Sequence, residues 1–187
     1  MAKVGIYGGS FNPVHFGHVG LAKWVIEHTD LDELWLLVTP NNPLKPAGIL
    51  APEQERLNGV REAIKDIPHV VASDFEFHLP RPSYTANTLR ALQKAYPKHE
   101  FTLVIGEDNL AIFDHWREYE YILANYRIFV YPRRSNNPKD VLTGVADLTT
   151  PWSNSAAVKE IRFLSEAPLF DISSTELRAA QSISHKP

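Results

Sequence analysis

The segment GGSFNPVHFGH at positions 8–18 contains residue types that bind phosphate groups and stabilise negative charge. Its two histidines, His15 and His18, are three residues apart, so on the first turn of a helix both imidazoles would face the same way. Imidazoles in that position donate hydrogen bonds to phosphate oxygens and stabilise charge that develops in a transition state. Gly17 between them leaves room for a bulky ligand. We therefore expect phosphate chemistry at this place.

The residues around the two histidines predict a turn between a strand and a helix. Gly8 and Gly9 permit positive φ and a close approach of a ligand to the backbone, while Pro13 stiffens the turn. A helix that begins near Phe16 would direct its unpaired N–H groups and the positive end of its dipole at the ligand. The pattern is typical of an anion site.

Short apolar runs alternate with helix-like segments along the chain. The predicted strands lie at 4–7, 34–39, 70–73, 101–105 and 128–131, and the predicted helices at 19–28, 53–65, 85–95 and 109–124. Loops are expected at 40–52 and 132–140, a further strand near 161–164, and a short closing helix from about Ser174. This alternation predicts an α/β fold, a doubly wound Rossmann-like parallel sheet with helices on both faces, in one domain over 1–187. A ligand is then expected beyond the carboxyl ends of the strands.

Composition restricts the class of protein. With 187 residues, 44% apolar and 22% charged, the chain matches one ordinary globular domain. No apolar run approaches the roughly 18 to 20 residues of a membrane span, and no signal segment is recognised, so we expect a cytoplasmic protein that binds no membrane. The absence of cysteine excludes disulfides and thiolate chemistry, and the net charge of −3 argues against nucleic-acid binding. A homo-oligomer is compatible with the sequence.

Two motifs carry a family resemblance. Residues 8–18 resemble the HxGH signature of the nucleotidyltransferase superfamily, and ISSTELR at 172–178, in the C-terminal part at about 150–187, resembles its ISSTxxR signature. The chain is most similar to the bacterial nicotinate-nucleotide adenylyltransferase family, including PNNP at 40–43, SYT at 83–85, GED at 106–108 and FDHW at 113–116. The resemblance implies adenylyl transfer from ATP to nicotinate mononucleotide, giving deamido-NAD and pyrophosphate in NAD biosynthesis.

The resemblance also implies which residues bind ATP. The catalytic residues would be His15, His18 and Arg178, with Arg178 on the leaving pyrophosphate. The expected ATP-binding residues are Gly8, Gly9, Ser10, Phe11, Gly17, Gly106, Asp108, Ser173, Ser174 and Thr175. The hydroxyls before Arg178 suit a helix start that binds phosphate, although such residues also serve as ordinary caps. Mg²⁺ is expected as the cofactor, held by ATP oxygens and water and by no protein ligand.

A second group of residues would bind the acceptor. These are Ser10, Asn41, Lys45, Tyr84, Thr85 and Trp116. The family likeness places Trp116 against the nicotinate ring and Thr85 near its carboxylate, and an indole can stack on a pyridine. Three of these residues also have a purely structural interpretation. Trp116 could pack in the core, Lys45 could simply face water, and Asp108 could place a favourable negative charge at the start of a helix.

The chain departs from the family at two positions. Leu44 stands where many relatives have a basic residue, and in YPRRS at 131–135 either Arg133 or Arg134 corresponds to the arginine that relatives place after strand five. The alternatives left open are a phosphopantetheine adenylyltransferase, a nicotinamide-preferring enzyme, an ATP-binding sensor without turnover, and a zinc site on the histidines. Without a third ligand nearby, zinc is disfavoured. The absence of GxGxxG disfavours a dinucleotide oxidoreductase.

Overall fold

The computed structural model describes residues 1–40, 50–133 and 158–169. Within them, six parallel strands form one sheet in the order β3-β2-β1-β4-β5-β6. The strands are β1 (Lys3–Gly9), β2 (Glu33–Val38), β3 (Val70–Ser73), β4 (Glu100–Gly106), β5 (Arg127–Tyr131) and β6 (Glu160–Phe163). The strand order reverses between β1 and β4, so a ligand crevice is expected beyond their carboxyl ends. The predicted parallel α/β sheet, including its sixth strand, is confirmed.

Five helices and two 3₁₀ turns connect the strands. The helices are α1 (Phe16–His28), α2 (Glu53–Ile64), α3 (Thr85–Ala95), α4 (Glu107–Leu110) and α5 (Tyr119–Asn125), and the 3₁₀ turns are Phe75–His78 and Phe113–His115. The first helix begins three residues before the predicted start at Val19, as the anion-site argument requires. None of the helices in the described ranges is long and apolar enough to cross a membrane.

The prediction of one helix over 109–124 is wrong. The chain forms α4, then the turn at Phe113–His115, and only then α5. Trp116 is extended, with φ −76° and ψ 137°, and Glu118 is left-handed, with φ 57°. The break keeps the Phe113 side chain fully buried, because the segment turns around this ring instead of running straight past it. Tertiary packing here overrides local helical spacing.

Apolar side chains cover both faces of the sheet. Leu21, Val25, Leu57 and Val60 from α1 and α2 pack in one buried cluster, and side chains from α3, α4 and α5 pack in a second. All five residues of β5 are buried, as expected for a strand covered on both sides. The two layers hold the carboxyl ends of the strands in fixed relative positions, where we expect the ligand.

Candidate active site

His15 and His18 lie together at the start of α1. His15 is the N-cap residue, with an extended backbone, and His18 is the third helical residue. The two form a capping box, in which the His15 N–H donates to His18 Nδ1 at 3.2 Å. Their ring centroids are 3.7 Å apart and the ring planes differ by 30°. The expectation that both imidazoles face the same way is confirmed.

The capping hydrogen bond determines which nitrogen of the neutral His18 ring carries the proton. Because Nδ1 accepts a backbone N–H, the proton of the neutral ring lies on Nε2. Burial, then the neighbouring His15 and Arg133, lower the pKa of His18 to about 3. At neutral pH His18 is therefore an uncharged imidazole with an Nε2–H donor.

We expect this buried neutral imidazole to make stability depend on pH. The folded pKa of His18 lies below the ordinary value of 6.5, so the unfolded chain binds an additional proton as the pH falls. Between pH 7 and pH 5 this proton should lower the free energy of unfolding by about 2 kcal/mol. Urea unfolding of the wild type and of His18→Gln at both pH values measures the effect, because the variant lacks this ring. An equal loss of stability in both proteins would contradict it.

A cleft opens beside the two histidines. Its lining residues are Tyr7, His15, Gly17, His18, Leu21, Tyr131, Pro132, Arg133 and Pro168. The hydroxyls of Tyr7 and Tyr131 are 3.4 Å apart, and burial raises the pKa of both phenols, which therefore stay neutral. Because Tyr7 belongs to β1 and Tyr131 ends β5, the cleft lies at the predicted carboxyl edge of the sheet.

Asp108 and Arg133 form an ion pair at the same edge. Arg133 Nη1 donates to Asp108 Oδ2 at 3.1 Å, and the Arg133 backbone N–H donates to Glu107 Oε2 at 3.4 Å. The other carboxylate oxygen, Asp108 Oδ1, is buried without a hydrogen-bond partner among the described residues. A side chain at Gly106 would place its Cβ 2.4 Å from this oxygen, so glycine keeps space for the carboxylate.

The glycines of the first loop differ from expectation in one respect. Neither Gly8 nor Gly9 has the positive φ that the sequence suggested; Phe11 does, with φ 45°. Gly8 is exposed and nothing lies near its missing side chain, so a ligand can approach the backbone there. The Phe11 ring is buried and packs edge-on against Tyr7 and His18, so any contact of Phe11 with a nucleotide must come from its backbone.

Arg56 is a site residue that the sequence interpretation missed. Its side chain is only 4% exposed and donates hydrogen bonds to four backbone carbonyls. The acceptors, with their distances, are Ser10 (2.6 Å), Thr39 (2.8 Å), Ala51 (3.0 Å) and Pro40 (3.1 Å). Arg56 thereby joins the loop after β1 to the end of β2. The available signal was its spacing, since Arg56, Val60 and Ile64 follow at intervals of four along α2 and share its buried side.

Glu76 connects the end of β2 to the start of α3. Its carboxylate accepts hydrogen bonds from the hydroxyls of Thr88, at 2.7 Å, and of Thr39. Burial raises the pKa of Glu76 above its ordinary value. Through Thr39, which also binds Arg56, the start of α3 is connected to the loop that precedes α1.

Tyr84, Thr85 and Trp116 come from two segments that meet. Tyr84 is the N-cap of α3 and Thr85 its first residue. Trp116 directly follows the turn at Phe113–His115, not a helix as predicted, and packs on Phe113 with ring centroids 5.1 Å apart. The Arg117 guanidinium lies over the Tyr84 ring at 4.9 Å and joins the two segments. The indole Nε1 of Trp116 is buried without a hydrogen-bond partner among the described residues.

Several predicted site residues lie outside the described ranges. These are Asn41, Lys45, Ser173, Ser174, Thr175 and Arg178, together with Leu44 and Arg134. Among the predicted site residues that the structure describes, His15, Gly17 and His18 line the cleft together with Arg133, and Tyr84, Thr85 and Trp116 do not line it.

The fold and the cleft define a class, the doubly wound parallel α/β proteins, whose ligands bind at the carboxyl edge of the sheet. A family model described as cytidylyltransferase-like matches residues 6–180. In fold, the chain is similar to a nicotinic acid mononucleotide adenylyltransferase of Plasmodium falciparum, whose structure was solved in complex with NaAD. The TM-score is 0.73 at 18% sequence identity, over 96% of this chain and 83% of the other.

Sequence relatives narrow the class. A probable nicotinate-nucleotide adenylyltransferase of Bacteroides fragilis is 43% identical over 184 residues, which is 95% of this chain and 81% of the relative. A probable nicotinate-nucleotide adenylyltransferase of Flavobacterium johnsoniae is 49% identical over 139 residues, which is 74% of this chain and 72% of the relative. The chain therefore belongs to the cytidylyltransferase-like family and, within it, to the nicotinate-nucleotide adenylyltransferases.

Proposed function

We propose that this chain transfers the adenylyl group of ATP to nicotinate mononucleotide, forming deamido-NAD and pyrophosphate. A phosphate oxygen of the mononucleotide attacks the α-phosphorus of ATP, and the bond from that phosphorus to the bridging oxygen breaks. Pyrophosphate leaves with the electron pair. The observation that carries the proposal is the adjacent pair of imidazoles, His15 and His18, at the start of α1 in a chain of this family.

The histidines act as hydrogen-bond donors in this reaction. His18 presents a neutral Nε2–H to a non-bridging oxygen of the α-phosphate, where negative charge develops during the attack. His15 lies beside it and supports the same phosphate. No protein nucleophile is required, because adenylyl transfer depends on position and charge stabilisation.

Asp108 and Arg133 would bind the nucleoside half of ATP and its phosphates. The unpaired Oδ1 of Asp108 is a buried acceptor, which suits the hydroxyl groups of a ribose. Arg133 holds the other carboxylate oxygen and also lines the cleft, so its positive charge faces the phosphate region. Gly8 leaves the backbone open to the nucleotide. We assign Gly9, Ser10, Gly17 and Gly106 to the ATP site with it.

The remaining predicted site residues, inside and outside the described ranges, complete the proposal. Ser173, Ser174, Thr175 and Arg178 would hold the β- and γ-phosphates. Asn41, Lys45 and Ser10 would hold the acceptor phosphate. Tyr84, Thr85 and Trp116 would bind the nicotinate ring and its carboxylate. We place this activity in the cytoplasm and assign it to one domain spanning 1–187.

Magnesium fits this set of residues as an ion that arrives with ATP. Within residues 1–40, 50–133 and 158–169, no group of three His, Cys, Asp or Glu side chains could hold a metal ion. Mg²⁺ prefers phosphate oxygens and water, and when bound it neutralises charge on the triphosphate. The chain's own residues then orient the nucleotide and donate hydrogen bonds to it.

The direct test is a comparison of acceptors. Purified protein with Mg-ATP and nicotinate mononucleotide should release pyrophosphate and form deamido-NAD, measured by a coupled pyrophosphate assay and by chromatography. Nicotinamide mononucleotide in a parallel reaction should be the poorer acceptor. A preference for the amide would overturn the substrate assignment, and no turnover with either acceptor would overturn the reaction.

The role of Asp108 gives a separate prediction. Asp108→Ala removes a buried acceptor and should raise the KM for ATP about 10- to 100-fold, the usual cost of losing a charged hydrogen bond. The KM for the acceptor should change much less. Asp114→Ala, an exposed aspartate beyond α4, is the matched control. Equal KM values for ATP in both variants would show that Asp108 does not bind ATP.

A further inference from the structure

Two phenol hydroxyls lie together at the edge of the cleft. Tyr7 in β1 and Tyr131, the last residue of β5, place their hydroxyl oxygens 3.4 Å apart, with ring centroids 5.8 Å apart. Both residues line the cleft, although they are only 6% and 8% exposed. Burial raises the pKa of both phenols, so both keep their protons at neutral pH. The pair is therefore a neutral hydrogen-bonding unit beside the histidines.

The pair holds one more proton than the hydrogen bond between its hydroxyls uses. One O–H donates to the other oxygen, and the second O–H needs an acceptor elsewhere. No side chain or carbonyl in the described part of the chain accepts this second proton. The Arg133 guanidinium interacts with the Tyr131 hydroxyl, but it is a donor only. Because a buried O–H without an acceptor is unfavourable, the pair favours a ligand that supplies one.

The pair lies beside two residues that we assign to the nucleotide. A side chain at Gly106 would place its Cβ 3.2 Å from the Tyr131 ring and 2.4 Å from Asp108 Oδ1, so the phenol and the carboxylate lie side by side. The centroid of the Tyr7 ring is 6.2 Å from that of the His18 ring. Since Asp108 would bind the ribose and His18 the α-phosphate, the pair lies near the junction of the two groups.

We propose that the pair Tyr7–Tyr131 donates a hydrogen bond to an oxygen of the α-phosphate of ATP. This inference rests on the proposed function. A ribose hydroxyl can also accept a hydrogen bond, but a phosphate oxygen carries negative charge, and hydrogen bonds to charged groups are roughly twice as strong. The other donors in the cleft, His18 and Arg133, also suit an anion. The pair thus contributes to the binding of ATP.

The first experiment combines Tyr7→Phe with Tyr131→Phe, which removes both hydroxyls and keeps both rings. We expect kcat/KM for ATP to fall about 10- to 100-fold, the usual cost of losing a hydrogen bond to a charged group. The KM for nicotinate mononucleotide should change much less. Urea unfolding should give a stability close to that of the wild type, because both partners of the bond are removed together and neither is left unpaired.

The chain offers a matched control in a second pair of phenols. The hydroxyls of Tyr121 and Tyr126 are also 3.4 Å apart, and neither residue lines the cleft. Tyr121→Phe combined with Tyr126→Phe removes the same atoms and should leave kcat/KM for ATP unchanged.

The second experiment identifies the group on the nucleotide. AMP, which carries the α-phosphate, and adenosine, which lacks it, are measured as competitive inhibitors against ATP. In the variant without the cleft hydroxyls, the inhibition constant of AMP should rise about 10-fold or more, and that of adenosine should stay within about twofold of the wild type.

The outcomes separate this inference from the proposed function. An unchanged kcat/KM for ATP without the cleft hydroxyls, or an equal loss in the control, would overturn the role of the pair while the reaction stands. Equal rises for AMP and adenosine would overturn the contact with the phosphate. Absence of turnover by the wild type would overturn the reaction instead. In that case, calorimetric titration with AMP and adenosine still tests the pair, because binding requires no turnover.

Discussion

Replacing His18 with alanine should lower turnover about 100- to 1,000-fold while the protein stays folded. In the proposed mechanism the variant loses an Nε2–H donor at the cleft, and with it the stabilisation of charge on the α-phosphate. It also loses the Nδ1 acceptor of the capping box, which costs about 1 kcal/mol of stability. Steady-state pyrophosphate release gives kcat, and urea unfolding gives the stability.

A matched control for this variant is His78→Ala. His78 is an exposed histidine on the 3₁₀ turn before α3, so its removal should change neither kcat nor KM. If His18→Ala retained the wild-type kcat, His18 would have no catalytic role. A loss of activity explained entirely by unfolded protein would also contradict the role, and the unfolding curves decide this.

Replacing Arg56 with methionine should lower the free energy of unfolding by about 3 to 5 kcal/mol. The change leaves four carbonyls, one buried and three partly buried, without their donor at the ends of β1 and β2 and before α2. Methionine has a similar length, so the decrease in the free energy of unfolding comes mainly from the lost hydrogen bonds and less from lost side-chain volume. The midpoint of urea unfolding measures the change. Arg61→Met, an exposed arginine one turn further along α2, should stay within about 0.5 kcal/mol of the wild type.

The same variant should also affect the reaction. Because Arg56 holds the Ser10 carbonyl, its loss frees the loop that carries Gly8 and Gly9, the glycines proposed to bind ATP. We expect kcat to fall further than the fraction of folded protein does, and Arg56→Lys to recover part of both quantities. A stability close to that of Arg61→Met would show that the four hydrogen bonds contribute little.

The sequence was sufficient for the sheet and for the histidine pair. The run 101–105 is almost continuously apolar, which predicts a strand covered on both faces, and all five of these residues are buried in β4. Local helix geometry determines the relative orientation of side chains three residues apart. The sequence was therefore enough to predict that the His15 and His18 rings lie on the same side of α1. Both predictions concern features that local sequence determines.

The features that were missed depend on contacts between distant segments. The helix expected over 109–124 is interrupted because Phe113 must reach the core, and spacing alone cannot reveal this. Arg56 binds carbonyls that lie up to 46 positions away along the chain. The positive φ at Phe11 instead of at the glycines results from burial of its ring beneath the loop. The position of Arg133 in the cleft likewise required coordinates.

The capping box at the start of α1 has a consequence for how nucleotide binds. The same hydrogen bonds that begin the helix also orient the His18 imidazole, so folding alone leaves the site preorganised for an incoming α-phosphate. Little conformational entropy is then lost when the nucleotide arrives. Any substitution that frays the first turn of α1 should therefore slow the reaction, even where the altered residue never touches a substrate.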